Sequence, residues 1–569
     1  SKADQSVFFG SQNFGLPPNQ NWINMKFINK FLLIAALLFS VSACEMTELE
    51  ELLDNPNAVT PEQAGVDFLY NSIQLNFAGA FSSTWGPGAF FSRMGNPGGG
   101  GLSYRSAYPA TSQNGIWNIA YAGLFPDIDA LIALGEQRGL DVHVGSVKIM
   151  KAYVLTLLVD LMNDVPLSQA LQGTDVISPA PDAAADVYAA AEALLDEAIA
   201  GISGSSATGP SNDFYYGGDG SKWVTLAKTL KLRLYNTTRL VDSGAAGKIN
   251  ALLADGDLID DVSEDFQALY GQSRNNPNSR HPFYNNSYEA NDGTYQSNYF
   301  MWLMTGDKLD ENDAPVRDPR ARYYFYRQVR SSYDQDVNVY SCIFAETSNE
   351  EDINNAKPAH YVANGSRTPF CVLPGGYYGR DHGNGSGIPP DGFIRTVYGL
   401  YPGGGKFDDD SFGSTQNNGT DGGQGQGIEP IMLSSYVDFM RAEAALTLGT
   451  SDDPRTLLES GIQKSMDKVV SFESLVPSDM GRLITTPSGE RSVKDLFGAD
   501  ADDIRAYIDF VLAQYDAATT DDERLNIIMK EYLISLSDLR YYSGSRGQLG
   551  TTMNEQTHLV QARCEAEYS

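Results

Sequence analysis

Helical periodicity occupies both ends of this 569-residue chain and lapses in the middle. That interruption constrains the fold most, because the helices must supply the core on which the aperiodic stretch rests. Pro61 and Glu62 after a Thr60 cap predict a first helix through Phe68, Leu69 and Ile73 towards Phe77. Further helical patterns cover 114–138 and 143–163, the second with Met150, Tyr153, Val154, Leu157, Leu158 and Leu161 at helical spacing. Its run from Val154 to Val159 is almost wholly apolar, which predicts burial on most sides, while Lys151 and Asp160 argue against a membrane span. The Ala-rich 182–202 segment is a strong helix former. In 221–241, Lys222, Lys228, Lys231, Arg233 and Arg239 alternate with Trp223, Leu226, Leu230, Leu234 and Leu240, which predicts an amphipathic helix with a solvated or ion-paired basic face. Helical patterns resume at 429–448, 453–471, 501–515 and 521–536. Helix pairs on short loops suggest a tetratricopeptide-like scaffold, although no clean repeat consensus is visible.

From about 255 to 426 the chain turns to Gly, Asn, Asp, Pro and aromatics. A short helix at 299–306 and strands around 324–329 are expected there, among loops of a length that is usually functional or disordered. The aromatic content favours function.

Residues 25–43 read as a lipoprotein signal. Lys26 and Lys30 precede an apolar run from Phe31 to Phe39, too short for a mature span, and Val41-Ser42-Ala43 leads to Cys44, which would carry the acyl chains. The acidic run Glu45, Glu48, Glu50 and Glu51 resembles a surface-export signal of Bacteroidetes-type lipoproteins. Residues 1–24 precede the signal, where nothing should stand, and are expected to be a gene-start artefact.

With Lys+Arg 40 against Asp+Glu 72, the net charge of −32 would repel a polyanion, so nucleic acid is excluded as a partner. Cys342 and Cys371 would close a moderate loop and are expected to pair, two buried thiols being the alternative; Cys564 is left over. No Cys/His spacing suggests zinc, so no cofactor is expected, though Asp408, Asp409 and Asp410 could ligate calcium if they are not simply a solvated acidic loop.

Aromatic rings offer flat apolar platforms to the C–H faces of sugars, while amides and carboxylates bind hydroxyls. Two clusters supply that mixture: Trp85, Arg93, Tyr104 and Tyr108 after the first helix, and Tyr288, Asn291, Tyr295, Tyr299 and Trp302 in the middle. The competing account is that each ring packs a loop onto the scaffold. Tyr377 to His382 reads as a structural turn. Catalysis has no comparable signature: the five His sit apart, HExxH and GxSxG are absent, and Tyr398 to Lys406 fails as a phosphate loop because Leu400 and Phe407 stand where Gly and Ser/Thr belong.

Several segments together resemble the SusD/RagB family of outer-membrane lipoproteins, in its divergent starch-binding-associated branch. They are the 54–60 stretch with Asn55-Pro56-Asn57, the turn Asp160-Leu161-Met162-Asn163-Asp164-Val165-Pro166-Leu167-Ser168, the segment Tyr377 to Gly383 with Gly387 to Gly392, and Arg441-Ala442-Glu443-Ala444. The similarity runs from about Cys44 to Leu536. The 537–569 tail departs from the family pattern, as a truncated or frame-shifted end would. The resemblance implies a mainly α fold, with tetratricopeptide-like helix pairs, long loop-rich insertions and few short strands in one ligand-binding domain over 44–536. It also implies a non-enzymatic, lipid-anchored protein at the outer-membrane surface that captures glycan oligosaccharides for a SusC-like TonB-dependent transporter. Peptide capture on the same scaffold and a secreted carbohydrate-active enzyme are the alternatives.

Overall fold

The computed structural model describes residues 65–92, 94–96, 110–275, 277–289, 295–330, 372–373, 375–379, 395–415 and 419–536. Helix α1 (Val66–Phe91) is followed by a two-residue strand, β1 (Gly95–Asn96). Helix α2 (Asn114–Ile119) passes through a π-helical turn (Ala120–Leu124) into α3 (Phe125–Arg138), so the predicted 114–138 helix is one continuous element with a local widening. The predicted helices at 143–163, 182–202 and 221–241 are α4 (Asp141–Met162), α5 (Ala184–Ser203) and α6 (Gly220–Thr238). Helix α7 (Ala245–Asp255) follows and is too short for its periodicity to stand out in sequence.

Helix α4 is long and apolar enough to cross a membrane, but its sides are filled by protein: Val154, Leu155, Leu157 and Leu158 are each 0% exposed. Its basic and acidic residues are paired, Lys151 with Asp129 at 2.5 Å and Asp160 with Arg233 at 2.9 Å. Tyr153 joins Phe77 and Phe81 of α1 in a ring cluster, with the Phe81 and Tyr153 centroids 5.0 Å apart.

Helices α4, α5 and α6 pack in succession. Gly145 permits the α4–α5 approach, since a Cβ there would sit 2.4 Å from Ile202 Cγ1 and 2.6 Å from Cδ1. Gly145→Val is therefore expected to cost roughly 2 kcal/mol by overpacking, read as a lower midpoint in chemical denaturation; an unchanged midpoint would show that the pair can spread at no cost.

Most basic residues of α6 are ion-paired, and Lys222 donates to Ser263 C=O at 2.7 Å. Lys228 meets Asp255 and Asp257, and Lys231 meets Asp196. Arg233 and Arg239 are buried, a correction to the expected surface face. Arg233 donates to Thr156 Oγ1 and Asp160 Oδ2, both at 2.9 Å, and Tyr188 donates to the other Asp160 oxygen. Leu240 lies past the end of the helix and is 63% exposed instead of packed.

The turn after α4 is held by carboxylates. Asn163 sits at φ 69°, Asp164 accepts from Ala184 N–H at 2.9 Å, and Asp182 accepts from the N–H groups of Leu167 and Ser168 and from the Ser168 hydroxyl. The Ser168 hydrogen bonds hold the Asp182 carboxyl below the usual carboxylate range.

Strand β2 (Phe266–Leu269) leads into the aromatic middle, which holds β3 (Tyr295–Gln296), α8 (Asn298–Thr305), α9 (Ala321–Tyr324), β4 (Phe325–Tyr326), β5 (Val372–Leu373), β6 (Tyr377–Tyr378) and β7 (Val397–Tyr398). The expected 324–329 strand is thus two residues long, paired with β7. Strand β8 (Ile428–Met432) pairs antiparallel with β2. The helix expected from 429 begins only at Ser434. Pro430 lacks the N–H a helix would use, and all five residues of β8 are buried, an extended pattern rather than an amphipathic one.

Helices α10 (Ser434–Leu448) and α11 (Pro454–Val470) form a second pair. After the hairpin β9 (Leu483–Thr486) and β10 (Gly489–Ser492) come α12 (Val493–Phe497), α13 (Ala501–Ala517) and α14 (Asp521–Ser535). Capping boxes start the last three, with Ser492–Asp495, Asp500–Asp503 and Thr520–Glu523 as the reciprocal pairs. The architecture is mainly α, with packed helix pairs and short two-stranded ladders, as expected.

Candidate functional site

The end of the first helix and the start of α8 are joined by a small β-junction. Strand β1 pairs antiparallel with β3, Gly95 opposite Gln296 and Asn96 opposite Tyr295, and Ser297 N–H donates to Met94 C=O at 3.0 Å. This ladder joins the end of α1, on which Trp85 lies, to the start of α8. Arg93, Tyr104, Tyr108 and Asn291 lie outside the described residues.

Helix α8 sorts its side chains by face. Phe300, Met301, Leu303 and Met304 are buried, whereas Tyr299 and Trp302, three residues apart and so on one side, stay half-buried. Their ring centroids are 6.0 Å apart with planes at 38°, a bent aromatic surface rather than a flat stack. The helix stops against Trp302, whose carbonyl accepts from the N–H groups of Gly306 and Asp307 at 2.8 and 3.0 Å. Gly306 leaves room for the indole, since a Cβ there would sit 2.9 Å from Trp302 Cδ1. Beneath the helix start, Gln296 and Ser297 are buried, and neither Gln296 Nε2 nor Ser297 Oγ has a hydrogen-bond partner among the described residues. Buried polar groups are normally satisfied, so these two stand out at the start of α8. Sequence reasoning missed Gln296, Ser297 and Gly306, because a polar residue before a helix and a glycine after it read only as caps.

Two expected platform residues belong to the core instead. Tyr288 is 0% exposed, its ring stacked on Tyr284 at 4.6 Å, and its hydroxyl donates to Tyr398 C=O while accepting from Lys406 N–H. Burial drives its phenol well above the ordinary value. Tyr295 is equally enclosed, with the Arg395 guanidinium 5.8 Å from its ring centre. Neither ring has a face to offer a ligand.

The three candidate calcium aspartates are matched to arginines. Arg327 donates to both oxygens of buried Asp408, at 2.6 and 3.1 Å, Arg322 donates to Asp410 at 2.9 Å, and Arg482 pairs with Asp409. Burial lifts the Asp408 carboxyl above its ordinary value, with Arg327 opposing. Among the described residues no group of three or more His, Cys, Asp or Glu is placed to hold a metal. Tyr377 and Tyr378 are buried in strand β6. Cys44, Cys342, Cys371 and Arg380 to His382 lie outside the described residues.

Comparison with known proteins completes the description. The model of a SusD-like family, described as starch-binding and associating with the outer membrane, matches residues 96–374. Among solved structures, a SusD/RagB family protein from Bacteroides thetaiotaomicron superposes with a TM-score of 0.55 at 17% identity, covering 87% of this chain and 88% of that one. A SusD homologue from Bacteroides fragilis gives 0.54 at 16% identity over 84% and 85% of the two chains. A chitin-binding protein gives 0.54 at 16% identity over 84% and 86%. No curated protein matches the chain. At such identities the structures establish a shared fold, and the family match adds sequence kinship across the β1–β3 junction and α8. The chain belongs to the SusD-like family.

Proposed function

We propose that the protein captures glycan oligosaccharides at the outer face of the outer membrane and passes them, without turnover, to a SusC-like TonB-dependent transporter. In this reading 25–43 is the signal, Cys44 carries the lipid anchor, and 44–536 is the ligand-binding domain. The observation that carries it is the half-buried Tyr299–Trp302 pair on one side of α8. Such a pair suits a curved or twisted saccharide, whose successive rings would each meet an aromatic face. The description of the family as starch-binding and the chitin-binding protein of like fold support a saccharide.

The test is calorimetric titration of the chain beginning after Cys44 with starch-type and chitin-type oligosaccharides and with peptides, with product analysis on every binder. Saturable glycan binding without product is expected. Trp302→Ala should weaken it by roughly tenfold or more, the scale of a central aromatic contact. Product formation, peptide binding alone, or glycan binding indifferent to Trp302→Ala would each defeat the reading.

A further inference from the structure

A cleft of about 520 Å³ lies between the 316–322 segment and the start of α13, lined by neither Tyr299 nor Trp302. Its size falls within the range of small-ligand sites. Arg317, Arg322 and Tyr377 line it from one side, and Phe497, Asp503 and Phe510 from the other.

The two arginines differ in availability. Arg322 is committed: it donates to Asp408 C=O at 2.8 Å and to Asp410 at 2.9 Å, and its guanidinium lies 4.7 Å from the Phe497 ring centre. It braces the wall. Arg317 is exposed, and no carboxylate pairs with it among the described residues, so its planar fork of donors remains free on a chain of net charge −32. Such a fork matches a carboxylate with two parallel hydrogen bonds. Phe497 and Phe510, both half-buried, add apolar wall suited to the C–H face of a ring. Asp503 is exposed on the far side, where its carboxylate accepts from Asp500 N–H in the capping box; its charge would repel an anion at that end. The cleft thus has a polarity, with anion welcome at Arg317 and unwelcome at Asp503.

We propose that this cleft is a second ligand site, which takes a uronate unit of an acidic oligosaccharide with its carboxylate on Arg317 and its ring against the Phe497 and Phe510 wall. The proposal rests on the glycan-capture reading but uses a different surface, so the two can fail separately. The chain beginning after Cys44 is titrated with an oligogalacturonate, a neutral chitin-type or starch-type oligosaccharide, and an acidic peptide, as wild type and as Arg317→Ala, Asp503→Asn and Trp302→Ala. The expected result is oligogalacturonate binding that falls roughly tenfold or more in Arg317→Ala, tightens in Asp503→Asn and is unmoved by Trp302→Ala. It should also weaken with salt, since the Arg317 contact is partly solvated. The proposal is overturned if oligogalacturonate does not bind, if its affinity ignores Arg317→Ala, or if the acidic peptide alone shows the Arg317 dependence. Loss of neutral-glycan binding in Trp302→Ala, or its absence in wild type, reports on the ring pair and leaves this result to stand or fall by itself.

Discussion

Replacing Arg320 by alanine is expected to destabilise the protein by about 3–5 kcal/mol, the penalty for leaving buried charges without their partner. Arg320 is 0% exposed and uses its whole fork: Nε and Nη2 donate to the two oxygens of Asp318 at 2.9 and 2.6 Å, Nη2 also to Glu531 at 2.8 Å, and Nη1 to Ser465 Oγ at 2.9 Å. Lys308 pairs with the other Glu531 oxygen at 3.0 Å, which Tyr507 also bonds, at 2.9 Å. The network ties the 308–320 segment to α11, α13 and α14. Without Arg320, Glu531 keeps Lys308, whereas buried Asp318 loses the guanidinium that bonds both of its oxygens and retains only the weaker influence of Lys308. Burial opposes ionisation of Asp318, and the Arg320 guanidinium more than offsets it, holding the carboxyl below its usual range. That contribution is present near neutrality and is lost as pH falls through the depressed folded value. Arg320→Ala should therefore lower the urea midpoint most near neutral pH and least in acid. A loss under about 1 kcal/mol at pH 7 would show that water or Lys308 replaces the guanidinium. Arg320→Lys should recover only part of the stability, because an ammonium cannot bridge Asp318, Glu531 and Ser465 at once.

The same network explains what was legible in the sequence. Helices with periodic apolar faces were readable from residues alone, and α4, α5, α6, α11, α13 and α14 fall within a few residues of their expected bounds. Segments set by distant partners were not. Strand β8 exists because Phe266 to Leu269 lie beside it, and nothing in Ile428 to Met432 records that partner. Arg233 and Arg239 looked like surface because charge normally stays in water; their burial depends on Asp160, two helices earlier, and Glu443, some two hundred residues later. The candidate site divides in the same way. The composition of the loops pointed to aromatics, but which rings face outward was decided by α8: Tyr299 and Trp302 fall on its open side, whereas Tyr288 and Tyr295 are enclosed by Tyr284, Arg395 and the β7 strand. Motif residues such as Asp160, Asp164 and Glu443 hold the helices together, so the sequence pattern that marks the family reports on its scaffold.

Glu443 makes that scaffold sensitive to pH. Its carboxyl is fully buried in α10, where Arg239 Nη2 lies 3.0 Å from Oε1 and Asn236 Nδ2 donates to Oε2 at 3.1 Å. Burial is the larger influence and pushes it up to about 7, against the lowering effects of Arg239 and Asn236. A carboxyl raised in the folded state keeps its proton there at pH values where the unfolded chain has released it. Folding then takes up a proton, so Glu443 contributes stability that is present below its unfolded value of about 4.5 and drains away as pH rises to about 7. Integrated over that window the loss is on the order of 3 kcal/mol. Glu443→Gln keeps the shape and a hydrogen-bonding side chain but cannot ionise. The expected result is that the variant matches wild type near pH 5 and gains on it towards pH 7.5, read as the difference between the two denaturation midpoints. Taking the difference matters, because His143, whose imidazole burial pushes below its ordinary value, slopes the other way in both proteins and cancels. A difference that stays flat with pH would mean that Arg239 holds the carboxylate ionised throughout; Glu443→Gln would then be uniformly less stable, through the unpaired Arg239 guanidinium it leaves between α6 and α10.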